Sequence, residues 1–189
     1  MRNKKTFAVI LCAIAVALNI VLGTAVAQLK IPLLFLDTIG TIFAAAYFGP
    51  WYGASVGAVS NIITGMIFSP KDIPFLLVNV VVGLVVGYIV KKFGFSLTTA
   101  IVTGLLLSVI CPLIGTPIAV WLYGGVTGTG NDFLVLLLRK SGSDIFTSTF
   151  IPRITGNIVD KVLSSLLVLA LVKKLPSQYK PEKYNNFYT

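Results

Sequence analysis

Histidine is absent from this chain of 189 residues, cysteine occurs twice, and charged residues make up only 11% of it. Without histidine, zinc hydrolysis and imidazole-based acid/base catalysis lose their usual residues. Cys12 and Cys111 are isolated within apolar runs, where buried small side chains fit better than a disulfide or a metal pair. Intramembrane enzymes draw on paired Asp, Ser–His or His/Glu metal sets, and none of these is found. The sequence implies no metal and no cofactor.

What is abundant is apolar surface: 56% of residues are hydrophobic and the mean hydropathy is +0.93. A soluble chain of this length could not hide that surface, so the expected class is an all-α integral membrane protein. The formal charge of +9 does not point to nucleic acid, because the basic residues stand at span boundaries and form no basic face with interleaved aromatics. The segment Phe7 to Ala27, preceded by Arg2, Lys4 and Lys5, is too long for a signal-peptide core and reads as an uncleaved first span.

A hydrocarbon core of ~30 Å takes roughly 20 helical residues. On that scale the chain predicts a compact bundle of six transmembrane helices near 6–28, 33–49, 51–69, 73–91, 96–122 and 146–172. Phe48-Gly49-Pro50-Trp51 predicts a tight hairpin and Gly94 a helix C-cap. The stretch Phe133 to Leu138 is too short to span, which leaves it at the interface or over the bundle. One side of the bundle carries Arg2, Lys4, Lys5, Lys91, Lys92, Lys173, Lys174, Lys180 and Lys183; the other carries Lys30, Lys71, Arg139 and Lys140. The positive-inside rule then makes both termini cytoplasmic. Residues 1–175 form the transmembrane domain and 176–189 a cytoplasmic tail.

Arg153, Asn157, Asp160 and Lys161 interrupt the last span and share one helical face. Counted along their helices, Asn61, Asn79, Arg153 and Asn157 reach one depth in the outer half of the membrane. They read either as a ligand pocket or as interhelical glue. Asp160 and Lys161 could pair with each other, or Lys161 with Asp37. Trp121 and Tyr123 lie at the outer end of their helix, and Phe68, Phe75, Phe146 and Phe150 near the same level, as belt residues or, one or two of them, as a stacking wall for an aromatic ligand. The Gly-rich run 124–130 lacks the Lys-Ser/Thr ending of a P-loop and reads as a mobile lid. Ala13 and Ala17 form a small-xxx-small ridge, and Gly49, Gly53, Gly57, Gly83 and Gly87 repeat the device in the third and fourth helices.

Six helices, basic termini and the Ala-xxx-Ala motif resemble the S component of an energy-coupling factor (ECF) transporter. So do Leu36-Asp37-Thr38-Ile39-Gly40-Thr41-Ile42, the hairpin at Gly49-Pro50, and Asn61 followed by Ser69-Pro70. Tyr123-Gly-Gly-Val-Thr-Gly-Thr-Gly and Asn157-Ile-Val-Asp-Lys161 complete the likeness, which runs from the first helix to Lys174. The resemblance implies a subunit, not an enzyme, that binds a small water-soluble vitamin or precursor at the extracellular side of the plasma membrane. It also implies a transmembrane coupling subunit (EcfT-like) and two cytosolic ATPases as partners. Carried onto this chain, Asn61, Asn79, Trp121, Arg153 and Asn157 are candidate substrate contacts. Lys30, Phe35, Lys71, Tyr123 and Asp132 are candidate loop cover, and Ala13 and Ala17 the coupling-subunit contact. A single Arg, neutralised by Asp144 or Asp160, argues against a polyanion; pyridoxine or hydroxymethylpyrimidine is the expected substrate. A small intramembrane enzyme, a stand-alone carrier and a scaffold remain as alternatives.

Overall fold

Long apolar runs punctuated by Gly, Pro and Ser dictate helices with abrupt ends. The computed structural model describes residues 4–175, and the expected tail 176–189 lies outside the described residues. Regular structure among them is helical throughout: α1 (Lys4–Gln28), α2 (Ile39–Phe48), α3 (Pro50–Ile67), a 3-10 turn (Pro70–Phe75), α4 (Leu76–Phe93), α5 (Leu97–Tyr123), α6 (Asp132–Lys140) and α7 (Ile145–Lys174). Four helical stretches are long and apolar enough to cross a bilayer: Thr6–Gln28, Pro70–Phe93, Leu97–Tyr123 and Ile145–Lys174. The chain is an all-α membrane protein.

The second helix departs from expectation. Hydropathy predicts it over 33–49, yet it begins only at Ile39. Lys30, Leu33 and Leu36 take positive φ values of 49°, 64° and 51°, a left-handed region that no helix accommodates. At ~1.5 Å per residue the remaining ten residues cover about half of the hydrocarbon thickness. α2 is therefore an interior strut. Ile39 to Ile42 and Ala44 to Tyr47 are buried, and it packs against α1, α3, α4 and α7.

Helix ends follow the sequence closely. Pro50 opens α3 after Gly49, whose φ of 109° suits a residue without Cβ. Ser96 and Asp144 cap α5 and α7 by accepting from the Thr99 and Thr147 N–H groups. Gly94 ends α4, as expected. α6 packs on α7 through buried Val135 and leaves Phe133, Leu136 and Leu137 exposed.

Small residues set the helix spacing. Gly57 abuts the backbone of Asn79, Gly83 that of Gly53 and Ala54, and Gly87 Pro50, so the α3 and α4 ridges interlock. Gly40 lets α2 touch the Ala15 carbonyl. Ala13 and Ala17 behave differently: they face outward beside exposed Ile10, Ile14 and Val21. The apolar core centres on Ile42, Val82, Val86, Leu107 and Val168. One end of the bundle gathers segment 29–38, the 3-10 turn and segment 124–131, while the other carries Gly49, Gly94, Lys91–Lys92 and Lys173–Lys174.

Candidate functional site

Segment 29–38 has no ladder of its own, so its backbone N–H groups need partners elsewhere. α7 supplies them. Asp160 Oδ1 accepts from Phe35 N–H at 2.9 Å and Leu36 N–H at 2.8 Å. Lys161 Nζ donates to Asp160 Oδ2 (2.7 Å), Thr38 Oγ1 (3.0 Å) and Asp37 Oδ1 (3.4 Å). Both alternatives raised for this lysine are realised together. Its three protons are used, and it holds the loop rather than a ligand.

Beneath that loop lies a cavity of ≈ 500 Å³, within the usual range for small-molecule sites. Asn61, Asn79, Arg153 and Asn157 all line it, drawn from α3, α4 and α7. Asn61 and Arg153 stand roughly 9 and 12 Å in from the ends of their helices, at ~1.5 Å per residue. Asn79 donates its side-chain amide to Asn61 Oδ1, and its own Oδ1 is buried without a partner. That pair joins α3 to α4 as interhelical glue would. Asn157 Nδ2 donates to the Arg153 carbonyl at 2.8 Å.

Trp121 is not in this set. It lies about 120° around α5 from cavity-lining Gly115, and its side chain is 82% exposed. Phe68 and Phe75, two of the aromatics expected at this level, line the cavity together with Phe35.

Arg153 also differs from expectation. Neither carboxylate proposed to neutralise it does so. Asp160 is committed to Lys161 and the loop, and Asp144 is the exposed α7 cap, its carboxylate held below the ordinary range by hydrogen bonds from Thr147. The guanidinium donates to Thr127 Oγ1 at 3.3 Å and sits over the Phe75 ring, 5.7 Å from its centroid.

The model of one protein family, the substrate-specific component of ECF transporters, matches residues 7–172. The chain belongs to that family. No curated protein and no solved structure matches it. ECF S components are transport subunits, not enzymes.

The expected cover residues of this S component fall around the cavity mouth. Lys30 and Phe35 line it directly. The Tyr123 hydroxyl donates to Asp72 Oδ1 at 2.6 Å, and Lys71 Nζ lies 5.9 Å from the Tyr123 ring centroid. Asp132 accepts from the N–H groups of Thr127 (3.1 Å) and Gly128, which shapes the run expected as a lid. Asn131 Oδ1 accepts from Leu33 N–H at 2.9 Å, which joins segments 29–38 and 124–131 beside the cavity.

Two amides escaped sequence reading. Asn131 stands just past the Gly-rich run and carries no signal of its own in the sequence. Asn19, on the cavity side of α1, is 2% exposed; it donates to Thr41 Oγ1 (2.9 Å) and Ser60 Oγ (3.1 Å) and accepts from Gly40 N–H (2.7 Å). A lone amide inside an apolar span was the available signal.

Proposed function

We propose that this S component captures a small water-soluble vitamin or precursor from the extracellular side and passes it inward by reorienting against a coupling subunit. The observation that carries this reading is the ≈ 500 Å³ cavity, mostly apolar with Asn61, Asn79, Arg153 and Asn157 among its lining and bordered by segments 29–38 and 124–131. The opposite end of the bundle bears Lys91, Lys92, Lys173 and Lys174, which the positive-inside rule assigns to the cytoplasm. On this reading the chain crosses the bacterial plasma membrane six times, with both termini inside. α2 completes its crossing through the irregular segment before it.

Asn61, Asn79, Arg153 and Asn157 contact the substrate, and Lys30, Phe35, Lys71, Tyr123 and Asp132 shape its cover. The outward-facing Ala13 and Ala17 receive the transmembrane coupling subunit, since small side chains permit close helix approach in lipid. Two cytosolic ATPases supply the energy. Pyridoxine and hydroxymethylpyrimidine, whose rings can stack on a phenylalanine, are the substrates to test first.

Uptake of labelled vitamins in cells supplied with this chain, a coupling subunit and both ATPases tests the assignment. Accumulation should need all four polypeptides. Uptake into liposomes by the chain alone would replace the reading with a stand-alone carrier.

A further inference from the structure

Of the charged side chains that line the cavity, Arg153 alone lies in its interior without a carboxylate in contact, Asp132 acting on it only from a distance. Three cations and two carboxylates are present: Lys30, Arg153, Lys161, Asp37 and Asp72. Lys161 is saturated by Asp160, Asp37 and Thr38. Asp72 accepts from Tyr123, and Lys30 is exposed at the mouth. Among the described residues no carboxylate lies within 4.0 Å of the Arg153 guanidinium. Asp132 stands behind Thr127, its oxygens turned to the Thr127 and Gly128 N–H groups.

The guanidinium therefore uses one long hydrogen bond and keeps most of its five donors free. A cation at bilayer depth is costly without a partner. Its planar fork matches a carboxylate or phosphate. Space exists beside it, because even a Cβ added at Gly115 would stay 3.7 Å from Arg153 Nη1. One turn along the same face, Asn157 spends only its Nδ2, leaving an acceptor oxygen for a ligand donor.

Resting on the capture role proposed above, we infer that the substrate carries one anionic group. It seats on Arg153 between Phe75 and Thr127, and a hydrogen-bond donor on the same molecule reaches Asn157. Neutral pyridoxine and hydroxymethylpyrimidine then fit less well than a ring acid or phosphate ester of similar size. The shared chemistry is a carboxylate or a phosphate.

The test is calorimetric titration of the purified, detergent-solubilised protein with probe pairs in which one member carries an added carboxylate or phosphate. Pyridoxine is compared with 4-pyridoxate and with pyridoxine 5′-phosphate, nicotinamide with nicotinate, panthenol with pantothenate, and hydroxymethylpyrimidine with its phosphate. The anionic member of the binding series should be tighter by about 100-fold, the scale of a desolvated charge pair. Arg153→Gln should collapse that difference and Arg153→Lys should restore part of it. Carboxylate and phosphate members tell the two sources apart. Equal or tighter binding of a neutral member overturns the inference and leaves the capture role standing. So does an anion preference that survives Arg153→Gln. Native mass spectrometry judges molecules outside the panel: a co-purified acid supports the inference, a neutral or cationic molecule overturns it. No binding in any series together with an empty protein overturns the capture role itself, and the inference falls with it.

Discussion

Lys161 Nζ lies 2.7 Å from Asp160 Oδ2, although neighbours in sequence point some 100° apart on a helix. Both side chains are buried, and the loop they hold closes the gap between them. Asp160 binds the Phe35 and Leu36 N–H groups with its other oxygen, and Lys161 reaches Thr38 and Asp37. The pair is a clamp on segment 35–38.

Removing one half of the clamp should cost more than removing both. Asp160→Leu strands two backbone donors and leaves the buried ammonium only Thr38 and the longer Asp37 contact, so the loss should approach the about 3–5 kcal/mol of a broken buried ion pair. The double variant Asp160→Leu/Lys161→Met leaves no uncompensated charge and should regain part of that loss. Thermal melting of the purified protein measures the series. Additive losses would show that the two residues act separately.

Asn19 joins three helices with one amide. Asn19→Leu should destabilise the protein by about 1–3 kcal/mol, the cost of buried polar groups left without partners. Thr41, Ser60 and the Gly40 N–H would all lose a partner. Equilibrium unfolding in detergent checks it, and a variant as stable as wild type would mean that these groups find other partners.

Helix positions were legible because long apolar runs and Gly, Pro and Ser boundaries fix them locally. The start of α2 was not, since hydropathy alone extends the helix back to residue 33. What stops it is backbone bonding from Phe35 and Leu36 to Asp160, 125 and 124 residues away, which no local pattern records. The depth count brought Asn61, Asn79, Arg153 and Asn157 to one cavity. The sequence leaves Trp121 open between a belt residue and a stacking wall, because its place at the helix end says nothing about rotation around the helix axis; its exposure fits the belt. Pairing of Arg153 with Asp144 or Asp160 was plausible by sequence distance, and only the positions of Thr147, Phe35 and Leu36 show both carboxylates engaged elsewhere.

Glycines of equal sequence character should respond in opposite ways to alanine. A methyl on Gly40 collides with the Ala15 carbonyl, whereas one on Gly115 meets its nearest atom at 3.6 Å. Gly40→Ala should separate α1 from α2 and lower the melting temperature by several degrees, as an overpacking cost of about 1–3 kcal/mol implies. Gly115→Ala should melt close to wild type. Equal melting of the two variants would contradict the close α1–α2 approach.

Tyr123 offers a test of the cover that spares the bundle. Its hydroxyl donates to Asp72 at 2.6 Å and lies 3.4 Å from Ser69 Oγ, joining the end of α5 to the 3-10 turn. Tyr123→Phe keeps the ring against Phe75 but leaves the Asp72 carboxylate without its donor. A hydrogen bond to a charged group contributes about 1.5–3 kcal/mol. If the cover must stay joined while substrate is held, dissociation should accelerate by roughly 10-fold or more, since 1.4 kcal/mol is tenfold. Association should change less, because affinity differences within one site reside mostly in the off-rate. Stopped-flow displacement of a bound probe separates the two rates. An unchanged off-rate would place the closure elsewhere, on the Asn131–Leu33 bond between segments 124–131 and 29–38.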